Sequence, residues 1–159
     1  MKIISGGQTG GDRAALDVAL QHGIECGGWC PAGRLDEFGR IPDQYPVQEL
    51  EVGDFAERTL QNVKDSDGTV VIYPDKLAGG TEQTVRFCIE LQRPHQLIDA
   101  SKLSAEDAAR LITDFVHKNK IDVLNVAGPR QSEWPEGYDY AFRAVDIFLT
   151  PGSRRVVGG

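Results

Sequence analysis

Apolar residues fall along this chain in two alternating patterns. Short runs rich in β-branched residues, of which 69–73 is the clearest, are typical of strands buried in a parallel sheet. Between the runs, apolar residues recur three and four positions apart, most regularly from 104 to 116, and this spacing predicts amphipathic helices. The runs predict strands at 3–4, 24–29, 47–52, 69–73, 96–98 and 121–127, and the stripes predict helices at 11–22, 54–64, 81–92, 104–116 and 141–149.

The alternation of these elements predicts the fold class. We expect an α/β fold of Rossmann-like layout: a doubly wound, mostly parallel sheet of about five to six strands with helices on both faces. The 159 residues, 40% of them hydrophobic and 26% charged, suit a single domain spanning 1–159. From 150 onward the pattern has no packing signal and predicts a tail.

Ligands of such sheets bind beyond the carboxyl ends of the strands, so the loops that leave those ends are the candidate site. Three of these loops have unusual compositions, at 5–13, 78–82 and 128–132. The first has four glycines within six residues and leads directly into a helix. Such a turn presents backbone N–H groups beside the positive end of a helix dipole, which predicts a cradle for a phosphate or another oxyanion.

The second loop also has a glycine pair before a helix. If its strand neighbours the first strand, the two cradles face one crevice and suit a diphosphate, a nucleotide or a large oxyanion. The candidate ligand-binding residues are Ser5, Gly6, Gly7, Gln8, Thr9, Gly10, Gly11, Asp12, Arg13, Gly79, Gly80, Thr81, Glu82, Gly128 and Arg130. No catalytic or metal-binding residue is predicted.

Several of these residues have a structural alternative. Arg13 either points at the ligand or pairs with Asp12 or Asp17. Asp12 and Glu82 lie in first helical turns, where a carboxylate also serves as a cap; Thr9 and Asp12 have capping-box spacing, as do Asp54 with Glu57 and Ser104 with Asp107.

Other polar residues carry weaker signals. Arg58 and Asn62 share a helix face and either line the crevice or face solvent, with solvent as the favoured alternative. Asn125, within an apolar strand, is expected to make a structural hydrogen bond. The loop at 31–46 is either a lid over the crevice or a variable surface excursion.

Composition excludes several classes of function. The formal net charge of −7 argues against general nucleic-acid binding, and no apolar run is long enough to span a membrane. Three cysteines without an export signal indicate reduced thiols in the cytoplasm.

The first loop fits neither the G-x-G-x-x-G fingerprint nor a Walker A loop, so ordinary NAD or ATP chemistry is not supported.

The chain resembles the putative molybdenum carrier family over nearly its whole length. The resemblance is carried by Ile4-Ser5-Gly6-Gly7-Gln8-Thr9-Gly10-Gly11-Asp12-Arg13-Ala14-Ala15-Leu16-Asp17, Gly28-Trp29-Cys30-Pro31, the segment 59–68, Gly79-Gly80-Thr81 and Asn125-Val126-Ala127-Gly128-Pro129-Arg130. That family is Rossmann-like and related to molybdenum-cofactor carriers and to lysine decarboxylase-like nucleotide hydrolases.

The resemblance implies an anionic, phosphate-bearing ligand of molybdopterin or nucleotide type, and a carrier that is often a homo-oligomer. The alternatives are a nucleotide-cleaving phosphoribohydrolase and a non-catalytic nucleotide sensor or scaffold. The related hydrolases carry P-G-G-x-G-T-x-x-E with a catalytic Glu. Here the segment from Ala78 lacks one glycine and Thr84 occupies the acidic position, which disfavours hydrolysis.

Overall fold

The computed structural model describes residues 1–150, so the predicted tail from 151 lies outside the described residues. The strands of this range are β1 (Lys2–Ile4), β2 (Glu25–Gly27), β3 (Trp29–Cys30), β4 (Leu35–Asp36), β5 (Gly39–Arg40), β6 (Gln48–Glu49), β7 (Gly68–Tyr73), β8 (His95–Asp99) and β9 (Val123–Ala127). Its helices are α1 (Gly11–Gln21), α2 (Phe55–Asp65), α3 (Gly79–Glu90), α4 (Ala105–Lys118) and α5 (Gly137–Leu149).

The central sheet has five parallel strands in the order β2-β1-β9-β7-β8. Helix α5 packs against α1 and α4, whereas α2 packs against α3. After β1 the chain adds the next strand, β2, at one end of the sheet, and after β7 it adds β8 at the other end. Right-handed crossovers therefore place these two groups of helices on opposite faces of the sheet. The predicted α/β, doubly wound fold class is confirmed.

The sheet order corrects one expectation about the site. Strands β1 and β7 are not neighbours, because β9 lies between them. The loops that follow these three strands still leave the same edge of the sheet, with the third loop in the middle. The crevice is therefore built around the loop after β9, and the first two loops form its flanks.

The predicted strand at 24–29 divides into two. β2 joins the central sheet, while β3 pairs with β6 in a separate small sheet. The break lies at Gly28, which has a φ of +124° and on which a Cβ would overlap the backbone of Ser5. Gly28 is thus the position where the chain turns away from the sheet while passing against the first loop.

The segment that follows β3 is folded onto the domain. Strands β4 and β5 pair in an antiparallel hairpin. The guanidinium of Arg34 donates to four backbone carbonyls of this segment, those of Ile41, Pro42, Tyr45 and Val47. Beneath them, a small buried cluster consists of Leu16, Cys30, Ile41, Tyr45 and Val47.

Two of the three predicted helix caps are present in the structure. Asp54 and Ser104 accept hydrogen bonds from the N–H groups three residues later, each at 3.1 Å, as predicted. The capping box of Thr9 and Asp12 is wrong, because the N-cap of α1 is Gly10 and no side chain caps this helix.

We predict that Gly28→Ala destabilises the protein by about 3 kcal/mol, since it adds left-handed strain of about 1–2 kcal/mol to an overlap with backbone atoms. Gly23→Ala is the matched control: Gly23 also has a positive φ, of +66°, but open space lies around it. We expect the control to lose about 1 kcal/mol. Urea denaturation measures both values, and equal losses would contradict the role given to the overlap.

Candidate functional site

A cleft opens at the carboxyl edge of the central sheet. Its volume is about 470 Å³ including the open mouth. The first loop, the start of α2, the start of α3 and the loop after β9 each contribute to its walls. The lining residues are Gln8, Asp12, Phe55, Arg58, Thr59, Gly80, Thr81, Gln83, Thr84, Ala127, Gly128, Pro129, Arg130 and Glu133.

The N-terminus of α3 forms one wall of the cleft. The helix begins at Gly79 after the N-cap Ala78, and no side chain caps it, in contrast to α2 and α4. The N–H groups of a first helical turn have no partners within the helix. Gly80 and Thr81 line the cleft here, and the space beside Gly80 is open. This wall offers donors and a positive dipole end to an anion.

Gln8 lines this cleft with a side-chain amide whose nitrogen is buried. Its Oε1 accepts hydrogen bonds from the backbone N–H groups of Thr9 at 3.0 Å and Glu37 at 2.9 Å. These two donors fix the orientation of the amide, because only its oxygen can accept them. The Nε2 is buried and has no hydrogen-bond partner among residues 1–150. The side chain thus presents a donor that an acceptor from a ligand would satisfy.

For Arg58 the favoured prediction is wrong and the alternative is right. Solvent was favoured over the crevice, but the Arg58 side chain is only 14% exposed and lines the cleft. Its Nη1 lies 3.2 Å from the Asp12 carboxylate, and its Nε has no hydrogen-bond partner in the described part of the chain. The guanidinium fits against Gly6, where any Cβ would overlap it.

Asp12 places a carboxyl group in the floor of the cleft. It is 2% exposed, pairs with Arg58, and accepts a hydrogen bond from the Gly128 N–H at 3.3 Å. Burial raises its pKa above the ordinary value of 3.8, and this effect outweighs the opposing influence of the Arg58 charge and the Gly128 N–H. Perturbed, buried carboxyl groups in clefts are typical of functional sites.

The glycines of the first loop make room for the protein's own atoms. A Cβ on Gly10 would overlap the carbonyl oxygen of Pro129, and one on Gly7 would press on Ile41. The loop also satisfies part of its own backbone, since the Gly7 N–H donates to Ser5 Oγ at 3.2 Å and Ser5 Oγ donates to the Asp12 carbonyl. The first loop contributes to the cleft mainly through the side chains of Gln8 and Asp12.

Two charged candidates lie away from the cleft lining. Arg13 pairs with neither Asp12 nor Asp17; its guanidinium donates to the Gly7 carbonyl and lies 2.8 Å from Asp36. Glu82 pairs with Arg86 on the outer face of α3 at 2.6 Å. Neither residue lines the cleft, so their roles in ligand binding stay predictions.

Arg130 does lie at the cleft, near its rim. Its side chain is 41% exposed and pairs with Glu133 at 2.8 Å. Both Arg130 and Arg58 approach the ring of Phe55, with 5.8 Å from each guanidinium carbon to the ring centroid. Phe55 itself is half-buried and lines the cleft. An aromatic face therefore lies between two cationic groups.

A smaller polar pocket of about 180 Å³ adjoins the cleft and shares Asp12, Arg58 and Thr84 with it. Asn62 and Asn125 line this pocket. Asn62 bonds both the N–H and the carbonyl of Trp29, at 2.8 and 2.9 Å, so the expectation that it faces solvent is wrong. Asn125 donates to Thr69 Oγ1 at 3.2 Å, which confirms the structural hydrogen bond.

The start of α2 carries the part of the site that sequence reasoning missed. In a doubly wound sheet, a helix that leads into a parallel strand begins at the carboxyl edge. The first turns of α2 therefore lie beside the loops already identified, and Phe55, Arg58 and Thr59 come from them. This rule was the signal that the sequence offered. It had to be applied to α2, a helix that does not directly follow a strand of the central sheet.

Among residues 1–150, no group of three or more His, Cys, Asp or Glu side chains has an arrangement that would hold a metal ion. None of the helices in the described range is long and apolar enough to cross a membrane.

Comparisons with known proteins now identify the family. A solved structure described as a putative molybdenum carrier protein from Syntrophus aciditrophicus is 48% identical, with 94% of each chain covered and a TM-score of 0.92. Comparison with curated proteins gives no match. The resemblance to the putative molybdenum carrier family is confirmed. Residues 3–149 match the circularly permutated YpsA SLOG family, and because this match spans nearly the whole chain, the protein belongs to that family.

Proposed function

We propose that this protein binds a small anionic, phosphate-bearing ligand in the cleft and acts as its carrier. The observation that carries the proposal is a pair of buried donors, Gln8 Nε2 and Arg58 Nε, for which the described residues supply no acceptor. Each buried, unsatisfied donor costs about 1–3 kcal/mol, so the unliganded cleft is energetically prepared for an acceptor. A phosphate oxygen supplies that acceptor and carries the charge that Arg58 favours.

The groups that line the cleft favour one type of ligand. The uncapped end of α3 suits a phosphate group, and the Phe55 ring suits the face of a planar heterocycle. A phosphate joined to a flat ring describes both a nucleotide and molybdopterin. The name of the Syntrophus protein favours molybdenum cofactor among these.

The remaining parts of the proposal follow from composition and from the related carriers. We expect the protein to act in the cytoplasm on a small molecule, without binding nucleic acid or membrane, and to form a homo-oligomer. Ser5, Gly6, Gly7, Thr9, Gly10 and Gly11 would support the ligand indirectly, by holding Gln8 and Asp12 in place. Arg130 would add positive charge at the rim.

We predict that Gln8→Glu weakens ligand binding about 100-fold, because an acceptor replaces the donor and a negative charge enters the cleft. Calorimetric titration with a panel of nucleoside 5′-monophosphates and a pterin phosphate measures the affinity. Gln48→Glu, which makes the same charge change at an exposed position, is the control. Equal affinities for Gln8→Glu and the wild type would refute the proposed donor.

We predict that affinity for an anionic ligand rises as the pH falls and Asp12, whose pKa burial raises, takes up a proton. Protonation removes a negative charge from the floor of the cleft, and Arg58, Arg130 and Glu133 are the other charged groups that line it. Because the ligand also titrates, the measured quantity is the difference in pH dependence between the wild type and Asp12→Asn. Parallel pH profiles would show that the Asp12 charge does not act on the ligand.

Asp12 also favours a second candidate function, hydrolysis of a bound nucleotide. Its buried carboxyl group lines the cleft, and its raised pKa suits general acid–base chemistry. Glu82 pairs with Arg86 and does not line the cleft, and Thr84 Oγ1 donates to the Gly80 carbonyl at 2.9 Å. If the protein is a hydrolase, Asp12 is therefore its first candidate acid or base.

Release of free base from nucleoside monophosphates distinguishes the two functions. A carrier gives no turnover. A hydrolase gives turnover that Asp12→Asn abolishes and that Glu82→Ala leaves within about twofold, since a surface ion pair contributes little to the fold. Turnover that survives Asp12→Asn but disappears in Glu82→Ala would contradict the assignment of Asp12.

A further inference from the structure

The hairpin formed by β4 and β5 contacts Gln8, a residue that lines the cleft, through Glu37. Its backbone N–H donates to Gln8 Oε1 at 2.9 Å. Its carboxylate accepts hydrogen bonds from the Thr9 hydroxyl and, at 3.4 Å, from the Ser132 N–H. Glu37 thus joins the first loop to the loop after β9, which are two walls of the same cleft.

The contact with Gln8 determines what the cleft presents to a ligand. With the N–H groups of both Thr9 and Glu37 on its oxygen, the Gln8 amide is held in one orientation, and its nitrogen has no partner among the described residues. Without the Glu37 N–H, the amide loses one of the two donors that hold it. An amide that rotates freely directs its N–H group at a ligand for only part of the time. Fixing its orientation then costs free energy when the ligand binds.

The carboxylate of Glu37 is the anchor that holds this N–H in place. Burial opposes its ionisation, but hydrogen bonds from Ser132 and Thr9 and the charge of Arg130 outweigh burial and lower its pKa, so it is ionised at neutral pH. Thr9 Oγ1 in turn accepts the Gln131 N–H at 3.0 Å, which continues the network into the third loop.

A separate tie holds the hairpin to the domain. Arg13 pairs with Asp36, donates to the Gly7 carbonyl, and lies over the Tyr45 ring at 4.9 Å. Tyr45 donates to Asp17 at 2.7 Å. These contacts do not involve Glu37, so removal of its carboxylate leaves the hairpin attached while freeing the network around Gln8.

We infer that Glu37 is a positioning residue of the ligand site, which fixes the Gln8 amide and couples ligand binding to the docking of the β4–β5 hairpin against Gln8. This inference rests on the proposed function. A ligand oxygen bound to Gln8 Nε2 favours the amide orientation that the docked hairpin also favours. By thermodynamic reciprocity, the ligand then stabilises the docked hairpin as much as the docked hairpin strengthens ligand binding.

The test compares the wild type with Glu37→Ala, Glu37→Gln and Asp43→Ala. The Gln variant keeps an acceptor for Thr9 and Ser132. Asp43 is a matched control, because it lies in the same segment but pairs with Arg40 on the surface. We expect Glu37→Ala to weaken binding of adenosine 5′-monophosphate and of inorganic phosphate about tenfold, and Glu37→Gln and Asp43→Ala to stay within about threefold.

Hydrogen exchange of 31–47 supplies a readout that a merely structural strap would not give. We expect either probe to slow this exchange in the wild type and to have little effect in Glu37→Ala. Unchanged affinity in Glu37→Ala, even with a lowered melting temperature, would reduce Glu37 to a structural strap and overturn the inference.

A ligand-free measurement separates failure of the inference from failure of the proposed function. The side-chain amide signal of Gln8 in a ¹⁵N-labelled sample is assigned by its loss in Gln8→Glu. We expect this signal to shift and broaden in Glu37→Ala and to stay in place in Asp43→Ala. If neither probe binds the wild type, the proposed function fails for both probes, and an unmoved Gln8 signal in Glu37→Ala then overturns the inference independently.

Discussion

The buried pair of Asp12 and Arg58 is the contact on which the site depends. Asp12 belongs to the first turn of α1, Arg58 to α2, and the Gly128 N–H on the same carboxylate to the loop after β9. One carboxyl group therefore links the two faces of the sheet at its carboxyl edge. Breaking such a pair leaves an uncompensated buried charge, which is strongly destabilising.

This pair also explains how an acidic protein can prepare a site for an anion. The net charge of −7 opposes the approach of any anion at long range. Within the cleft the local groups matter more, because burial reduces screening. Arg58, Arg130 and the uncapped end of α3 supply positive potential, while Asp12 holds Arg58 in place.

The fold followed from the sequence because its signals are local. Apolar runs and helical stripes are read residue by residue, and they predicted the sheet, the helices and the edge at which the cleft lies. The side chains of the site depend on contacts between distant segments, such as Gly6 with Arg58 and Gly10 with Pro129. The glycines of the first loop were predicted to let a ligand approach closely, whereas at Gly6 and Gly10 it is the chain itself that approaches. Solvent was favoured for Arg58 because its partner, Asp12, lies 46 positions away and no local pattern indicates the pair.

Location of a bound oxyanion tests the account most directly. The protein, purified without phosphate and crystallised, would be soaked with tungstate, a tetrahedral oxyanion whose anomalous scattering fixes its position. We predict an anomalous peak in the cleft with tungstate oxygens at about 3 Å from Gln8 Nε2 and Arg58 Nε, the distance of an N–H···O hydrogen bond. A peak elsewhere on the molecule, with this cleft empty, would contradict the account.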